Sequence, residues 1–339
     1  LCDSKGRLWF GLFRGGVNLY DERTHVFRQL FPKSKAGTDV REIYEDNDHV
    51  IWLSTSKGIY KVDGETLSIV KHYELGHSLV RSIRKDRNGN LWVGTFGGGL
   101  EVYDKSMKRI RLFDVESGFP SNTVNQVYED RKHRMWIATG EGLVCFEPGA
   151  LEDYRVYHRK HGLANVHIHA IVDDGKNNIW VSTNHGIYCL PEKADTFLSY
   201  DESYHVPLGS FNNGCVTVDK SGTIYFGSTD GLCYFNPEYV LARRESPMPV
   251  ISQIKIFEPL EDQQLGERNI FPKQDETVRL KYDQNTLAVS FNVLNYALAD
   301  QVEYAYMLKG LESSWYTVDK PDNVVFWSLP PGNYELFVK

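Results

Sequence analysis

One pattern recurs along this chain at a nearly fixed interval. It reads "DRNGNLWVGTFGGGLEVYD" from Asp86, and related versions start at Asp3, Asp46, Asp130, Asp174 and Asp219. The anchoring aromatics are Trp9, Trp52, Trp92, Trp136, Trp180 and Tyr225, separated by 43, 40, 44, 44 and 45 residues. A period of about 40–45 residues marks a repeat architecture in which each unit buries its apolar face only against its neighbours. Within one repeat, "NQVYED", "RMWIAT", "LVCFE" and the less regular "YRVYHRKHG" are short β-like runs divided by turns. Four short strands per repeat, with no long segment of helical period, predict a β-propeller blade.

The repeated residues carry structural work. The Asp at the head of each turn accepts from its own turn's amides, and Gly6, Gly89 and Gly222 supply positive φ. Where glycine is missing, His49, His133 and Asn177 stand in its place, residue types that tolerate the left-handed region. The Trp is expected to fill the wedge between blades. Gly58, Gly99, Gly142, Gly186 and Gly231 make the following turn. The segment from Asp86 resembles the start of a calcium loop, but its twelfth position is Gly97 rather than a bidentate Glu, so calcium is not indicated. Five cysteines without a CxxC spacing argue against a disulfide framework or a metal site; Cys145 and Cys189, at equivalent places in successive repeats, read as buried apolar residues.

The period ends after "GLCYFNPEYV". The charged, Pro-containing "ARRESPMPVISQIKIF" leads into a different rhythm, with strand pairs expected around Asp283–Asn285, Gly310–Ser314 and Pro330–Asn333. This predicts a β-sandwich of immunoglobulin or fibronectin type. The fold class is therefore all-β, with a propeller over 1–245 and a sandwich over 246–339. With 38 basic and 45 acidic residues and a net charge of -7, the bulk charge argues against a nucleic-acid or anionic-membrane surface. There is no apolar run near 18 residues.

These residues carry a resemblance. "YAYMLKGLESSW…VVFWSLPPGNYELFVK", with Tyr304, Tyr306, Gly310, Trp315, Leu329, Pro331, Gly332 and Tyr334, resembles the Y_Y_Y domain. The upstream repeats, and "SGFPSNTVNQVYED" from Ser117 to Asp130, resemble two-component regulator propeller repeats. Together they resemble the periplasmic sensor region of hybrid two-component systems of Bacteroidetes. The resemblance implies two seven-bladed propellers, this sandwich, a membrane helix, a histidine kinase and a DNA-binding regulator. On that pattern the chain, opening in mid-repeat with no lead-in strand and ending at "ELFVK", reads as the second propeller short of about one blade, plus most of the sandwich. It implies the periplasmic part of an inner-membrane protein. The expected partners are an oligosaccharide ligand, a second copy of the sensor and the N-terminal propeller of the same full-length chain, with no nucleic acid in this region. The output is transcription of polysaccharide-utilisation genes.

No catalytic residue, metal or cofactor is indicated. A propeller glycosidase or lyase would need paired carboxylates or a His-centred constellation facing the pore, and the Asp residues are mostly used by the turns. The alternatives to a sensor are such an enzyme and a protein-interaction scaffold. Candidate ligand contacts lie where the loop before each first strand meets the turn between the second and third. The first set holds Arg41, Arg81, Ser121, Asn122, Asn165, His167, Asn212 and Asn213. The second holds Arg14, Lys57, Phe96, Glu141, His185 and Asp230. We single out Arg14, Lys57, Arg81, Phe96, Asn122, Glu141, Asn165, His167, His185 and Asn212. "NVHIHA" is expected to place His167 and His169 on one face. Planar polar groups suit sugar hydroxyls, an aromatic face suits C–H groups, and Arg or Lys suits uronate or sulfate.

Overall fold

A computed structural model describes residues 1–22, 24–31, 39–77, 79–201, 204, 206, 210–242, 248–259, 265–273, 276–293, 304–318 and 324–339. Its contacts divide it into Leu1–Leu241 and Ala242–Lys339. The expected boundary at 245/246 falls on residues 243–247, outside those described.

The first unit is six antiparallel sheets in sequence order. Sheet one holds β1 (Leu8–Leu12), β2 (Gly16–Asp21) and β3 (Val26–Phe31). Sheet two holds β4 (Val40–Glu45), β5 (Val50–Thr55), β6 (Gly58–Asp63) and β7 (Ser68–Tyr73). Sheet three holds β8 (Val80–Lys85), β9 (Leu91–Thr95), β10 (Leu100–Tyr103) and β11 (Arg109–Phe113). Sheet four holds β12 (Val124–Glu129), β13 (Met135–Thr139), β14 (Gly142–Phe146) and β15 (Tyr154–Tyr157). Sheet five holds β16 (Ile168–Asp173), β17 (Ile179–Thr183), β18 (Gly186–Leu190) and β19 (Leu198–Tyr200). Sheet six holds β20 (Phe211–Val218), β21 (Ile224–Ser228) and β22 (Gly231–Phe235). The strands β4, β8, β12, β16 and β20 are successive neighbours, so they form the innermost layer round a shared axis. This is propeller architecture.

The repeat's chemistry is the same at every turn. In sheet four, Asp130 Oδ1 accepts from the amides of Lys132 and Arg134, both at 2.9 Å, and Oδ2 accepts from the Trp136 indole at 2.8 Å. The indole bond recurs from Trp9 to Asp3 (2.7 Å), Trp52 to Asp46 (2.9 Å), Trp92 to Asp86 (2.9 Å) and Trp180 to Asp174 (3.3 Å). In sheet six the Tyr225 hydroxyl takes the indole's place on Asp219 at 3.0 Å. Gly6, Gly89, Gly222, His49, His133 and Asn177 all have φ between 59° and 83°. Trp136 packs with Ile168, Ile171 and Val181 of the next sheet, the wedge position expected. Cys145 and Cys189 sit in successive inter-sheet layers, and burial pushes the Cys145 thiol up to about 12.

The two end sheets each leave one face bare. Trp9 and Val17 of sheet one pack on sheet two, while Phe10, Leu12 and Phe27 stay exposed. In sheet six, Ile224 and Phe226 pack on sheet five, while Leu232 and Tyr234 are 62% and 66% exposed. A short helix, α1 (Pro237–Ala242), follows β22 with its Glu238 amide held by Asn236 Oδ1 at 2.9 Å.

The second unit has β23 (Val250–Pro259), β24 (Leu265–Ile270), β25 (Thr286–Asn292), β26 (Tyr304–Lys309), β27 (Tyr316–Val318), β28 (Val324–Phe326) and β29 (Glu335–Val338). They form two sheets, β24-β23-β25-β28 and β27-β26-β29, around Leu287, Val289, Phe291, Tyr304, Leu308 and Phe326. Two details differ from the sequence reading. The run before Asp283 is not a strand, because Leu280 and Tyr282 find no core and stay exposed. And β28 and β29, expected as a pair, lie in different sheets.

Candidate functional site

The inner strands share an irregularity that builds the site. The ladder register slips between Val40 and Glu42, Val80 and Ser82, Val124 and Gln126, and Ile168 and Ala170. Each slip is a β-bulge, which re-aims one side chain out of the ladder. The bulged residues are Arg41, Arg81, Asn125 and His169. In β20 the slip is wider, between Phe211 and Val216, and takes in Asn213.

These side chains follow one another from strand to strand. Arg81 donates through Nη1 to Asn125 Oδ1. Asn125 donates through Nδ2 to the Ile168 carbonyl at 2.7 Å and lies 3.4 Å from His167 Nε2. The rings of His167 and His169 have centroids 4.8 Å apart, the shared face the sequence predicted. His169 is bracketed by Asn213 on Nδ1 and Asn184 on Nε2, each at 2.6 Å. Arg81 lies over the Phe96 ring at 4.3 Å, and Arg14 and Arg41 lie over Phe13 at 5.2 and 5.0 Å. Phe96 and Phe13 are 47% and 61% exposed. The result is a polar string at one mouth of the axis, flanked by two open aromatic faces.

Burial shapes its electrostatics. Desolvation, then the neighbouring Arg41 charge, holds the Arg81 guanidinium below its ordinary value. Desolvation, then His169 and Arg81, holds His167 below the usual imidazole range, with exposed Glu141 opposing. His167 therefore stays a neutral donor and acceptor near pH 7.

The expectation that lead-in loops and second-to-third-strand turns share one face agrees with the backbone. Phe13 bridges to Asp39 and Phe96 to Thr123, and the Asn122 carbonyl accepts from Gly97 and Gly99 at 2.9 and 2.8 Å. The candidates themselves divide. Arg81, Phe96 and His167 join the string. Arg14 stands at its edge, its amide on Asp39 Oδ1 at 3.1 Å. Asn122 and Asn165 are used by their own loops, Asn122 Oδ1 accepting from Val115 and Asn165 Oδ1 from His167. Lys57, Glu141 and His185 are exposed, and each gives its amide to a Thr hydroxyl at 3.0 or 3.1 Å, with the Lys57 carbonyl also 2.7 Å from His72 Nε2. Asn212 is exposed and, among the described residues, makes no side-chain contact with the string.

The sequence reading missed Phe13, Asn125 and Asn184. A signal for Asn125 was present: apolar residues three apart in an inner strand (Val40 and Ile43, Val80 and Ile83, Val124 and Val127, Ile168 and Ile171) break the two-residue period and mark the bulge between them. Among the described residues there is no group of three metal-ligating side chains, and no helix is long and apolar enough to cross a membrane.

Comparison with known proteins places these features. The two-component regulator propeller model matches residues 74–97, 118–141 and 162–185, and the Y_Y_Y domain model matches residues 295–339. A crystal structure described as the extracellular domain of the hybrid two-component system BT3049 from B. thetaiotaomicron is 44% identical over the whole chain, with a TM-score of 0.80, and the chain covers 46% of it. The extracellular domain of BT4673 from the same organism shares the fold at 22% identity and a TM-score of 0.58, over the whole chain and 47% of its own length. Histidine kinase P4 of Formosa agariphila is 24% identical over 99% of the chain, which spans only 19% of that protein. The chain thus spans about half of the solved extracellular domains and about a fifth of the kinase. It carries three matches to two-component regulator propeller repeats followed by a match to the Y_Y_Y domain, and along its whole length it is similar to the extracellular domain of a hybrid two-component system.

Proposed function

We propose that this chain is the ligand-sensing part of a hybrid histidine kinase and that its propeller binds an oligosaccharide at the axial mouth. The observation that carries the reading is the string from Arg81 through Asn125 and His167 to His169 and Asn213, open beside Phe96 and Phe13. Amides and imidazoles donate to and accept from hydroxyls in fixed directions, guanidinium groups donate to them, and exposed aromatic rings pack against sugar C–H faces. The bound sugar would act with the N-terminal propeller of the longer chain and a second copy of the sensor. Through the Y_Y_Y domain it would change the geometry handed to the kinase, in the periplasmic part of an inner-membrane protein. The output would be transcription of polysaccharide-utilisation genes.

The test is calorimetric titration of the longer extracellular region, and of residues 1–339, against neutral and acidic oligosaccharides, with chromatography of the products. Binding without cleavage is expected. Turnover of any oligosaccharide would overturn the sensor reading in favour of an enzyme. Binding of a folded protein in place of any sugar would favour a scaffold.

A further inference from the structure

The string is polar throughout, but its charge is not shared evenly. Three guanidinium groups gather at one side of the mouth: Arg81 on the bulge of β8, Arg41 on the bulge of β4, and Arg14 in the turn after β1. Arg81 is half-buried, and its hydrogen-bond partner is the neutral Asn125 amide. Among the described residues no carboxylate lies within ion-pair distance of it. Other part-buried arginines of the propeller are paired: Arg84, three residues on in β8, meets Glu42 at 2.6 Å, Arg7 meets Asp3 at 2.6 Å and Arg134 meets Asp130 at 2.7 Å. A partly desolvated cation without a counter-charge is costly, and a second cation from the next inner strand adds repulsion. Among the described residues, the one acid that Arg41 meets is distant, Asp39 Oδ2 at 3.8 Å, and the other oxygen of that carboxylate already accepts from the Arg14 amide.

The aromatic rings add orientation. Phe96 lies under the Arg81 guanidinium and Phe13 lies by those of Arg41 and Arg14. A guanidinium stacked on a ring face keeps its N–H edge free for a partner in its own plane. The Nη1 edge of Arg81 is spent on Asn125, and its remaining N–H groups have no partner among the described residues. Two stacked, under-compensated guanidinium groups beside sugar-compatible amides and imidazoles are built for a bidentate oxyanion.

We propose, resting on the oligosaccharide reading above, that the mouth selects sugars bearing an anionic group, a uronate carboxylate or a sulfate ester, with Arg81 as the main anion-binding residue and Arg41 as the second. The amide of Asn125 and the ring of His167 then take neighbouring hydroxyls.

The test uses the longer extracellular region and three matched ligand sets: oligogalacturonides of two to six sugars, the same oligosaccharides with their carboxyl groups reduced, and sulfated galacto-oligosaccharides beside their unsulfated parents. The expected result is that an anionic member binds at least about tenfold more tightly than its neutral counterpart. Arg81→Gln should remove most of that ratio, Arg41→Gln part of it, and Arg111→Gln on the outer strand none. Preference for the uronate or for the sulfate names the source of the anion. Equal binding of the matched pairs, or an unchanged ratio in a folded Arg81→Gln protein, would overturn the anion proposal and leave the oligosaccharide reading standing. Binding to no member of any set would overturn both. Should Arg81→Gln fail to fold, the matched ligands on the unaltered protein and the Arg41→Gln variant still decide.

Discussion

At the scale of single residues, the Asp–Trp turn concentrates more bonds on one carboxylate than any other motif here. Asp130 holds two amides, the Trp136 indole and Arg134 Nε. Replacing it with Ala leaves buried donors without acceptors, so Asp130→Ala should cost about 3 kcal/mol or more in urea unfolding. Asp219→Ala, in the exposed sixth turn, should cost about 1 kcal/mol; equal costs would refute the argument from burial. Glycines separate strain from collision in the same way. Gly99 and Gly6 both have positive φ, +81° and +75°. A Cβ at Gly99 would lie 2.1 Å from the Phe113 carbonyl, whereas one at Gly6 meets nothing within 4 Å. Gly6→Ala should therefore cost only the left-handed penalty of about 1–2 kcal/mol, and Gly99→Ala clearly more, measured by the same unfolding midpoints. Asp173 supplies a pH dependence. Burial raises its carboxyl, against the Gly175 amide and Arg131, and its Oδ2 has no partner among the described residues. The folded state then binds a proton more readily than the unfolded one, so stability falls as pH rises from the unfolded value near about 4 through the raised folded value. Asp173→Asn should be more stable than the parent above that window and should converge with it below; a gap constant with pH would count against the burial effect.

At the scale of elements, what the sequence revealed was what repeats in composition, and what it hid was what repeats in geometry. The strand order, the turns and the Trp wedge follow from residue types at a fixed period. The indole bond to Asp does not, because a six-residue separation along the chain says nothing of distance until the turn folds back. The Thr95 hydroxyl that takes the Gly98 amide and donates to the Gly99 carbonyl was equally invisible. The bulges mattered most, since they decide which inner-strand side chain leaves the ladder. Reading loops alone found Arg81 and His167 but also gathered Lys57, Glu141 and His185, which point into solvent. The bulges also staple the blades. One residue past the first three, Glu42, Ser82 and Gln126 accept the amides of Ile83, Val127 and Ile171 in the next sheet at 2.8, 2.9 and 2.6 Å. Gln126→Ala should unpair the buried Ile171 amide at a cost of about 1–3 kcal/mol and speed its hydrogen exchange without loosening Ile83. Uniform exchange across both would show that the staple is not local.

At the scale of the whole molecule, the arginines at the mouth stand against a net charge of -7. A general basic surface is therefore not their origin, and the long-range field does not favour an anionic sugar; attraction has to come from close range. Salt dependence tests this. Exposed charges are screened beyond about 10 Å at 0.1 M salt, while part-buried contacts are screened less. Raising salt from about 50 to about 500 mM should weaken an anionic oligosaccharide by a few-fold at most, because Arg81 is half-buried against Phe96. The carboxyl-reduced counterpart should hardly change. A loss of a hundredfold or more would mean that the anion is held by exposed charges such as Arg14, and the bulge would lose its claim to be the recognition element. Complete insensitivity for both ligands would mean that no charge pairing occurs and that the amides and imidazoles carry the recognition alone.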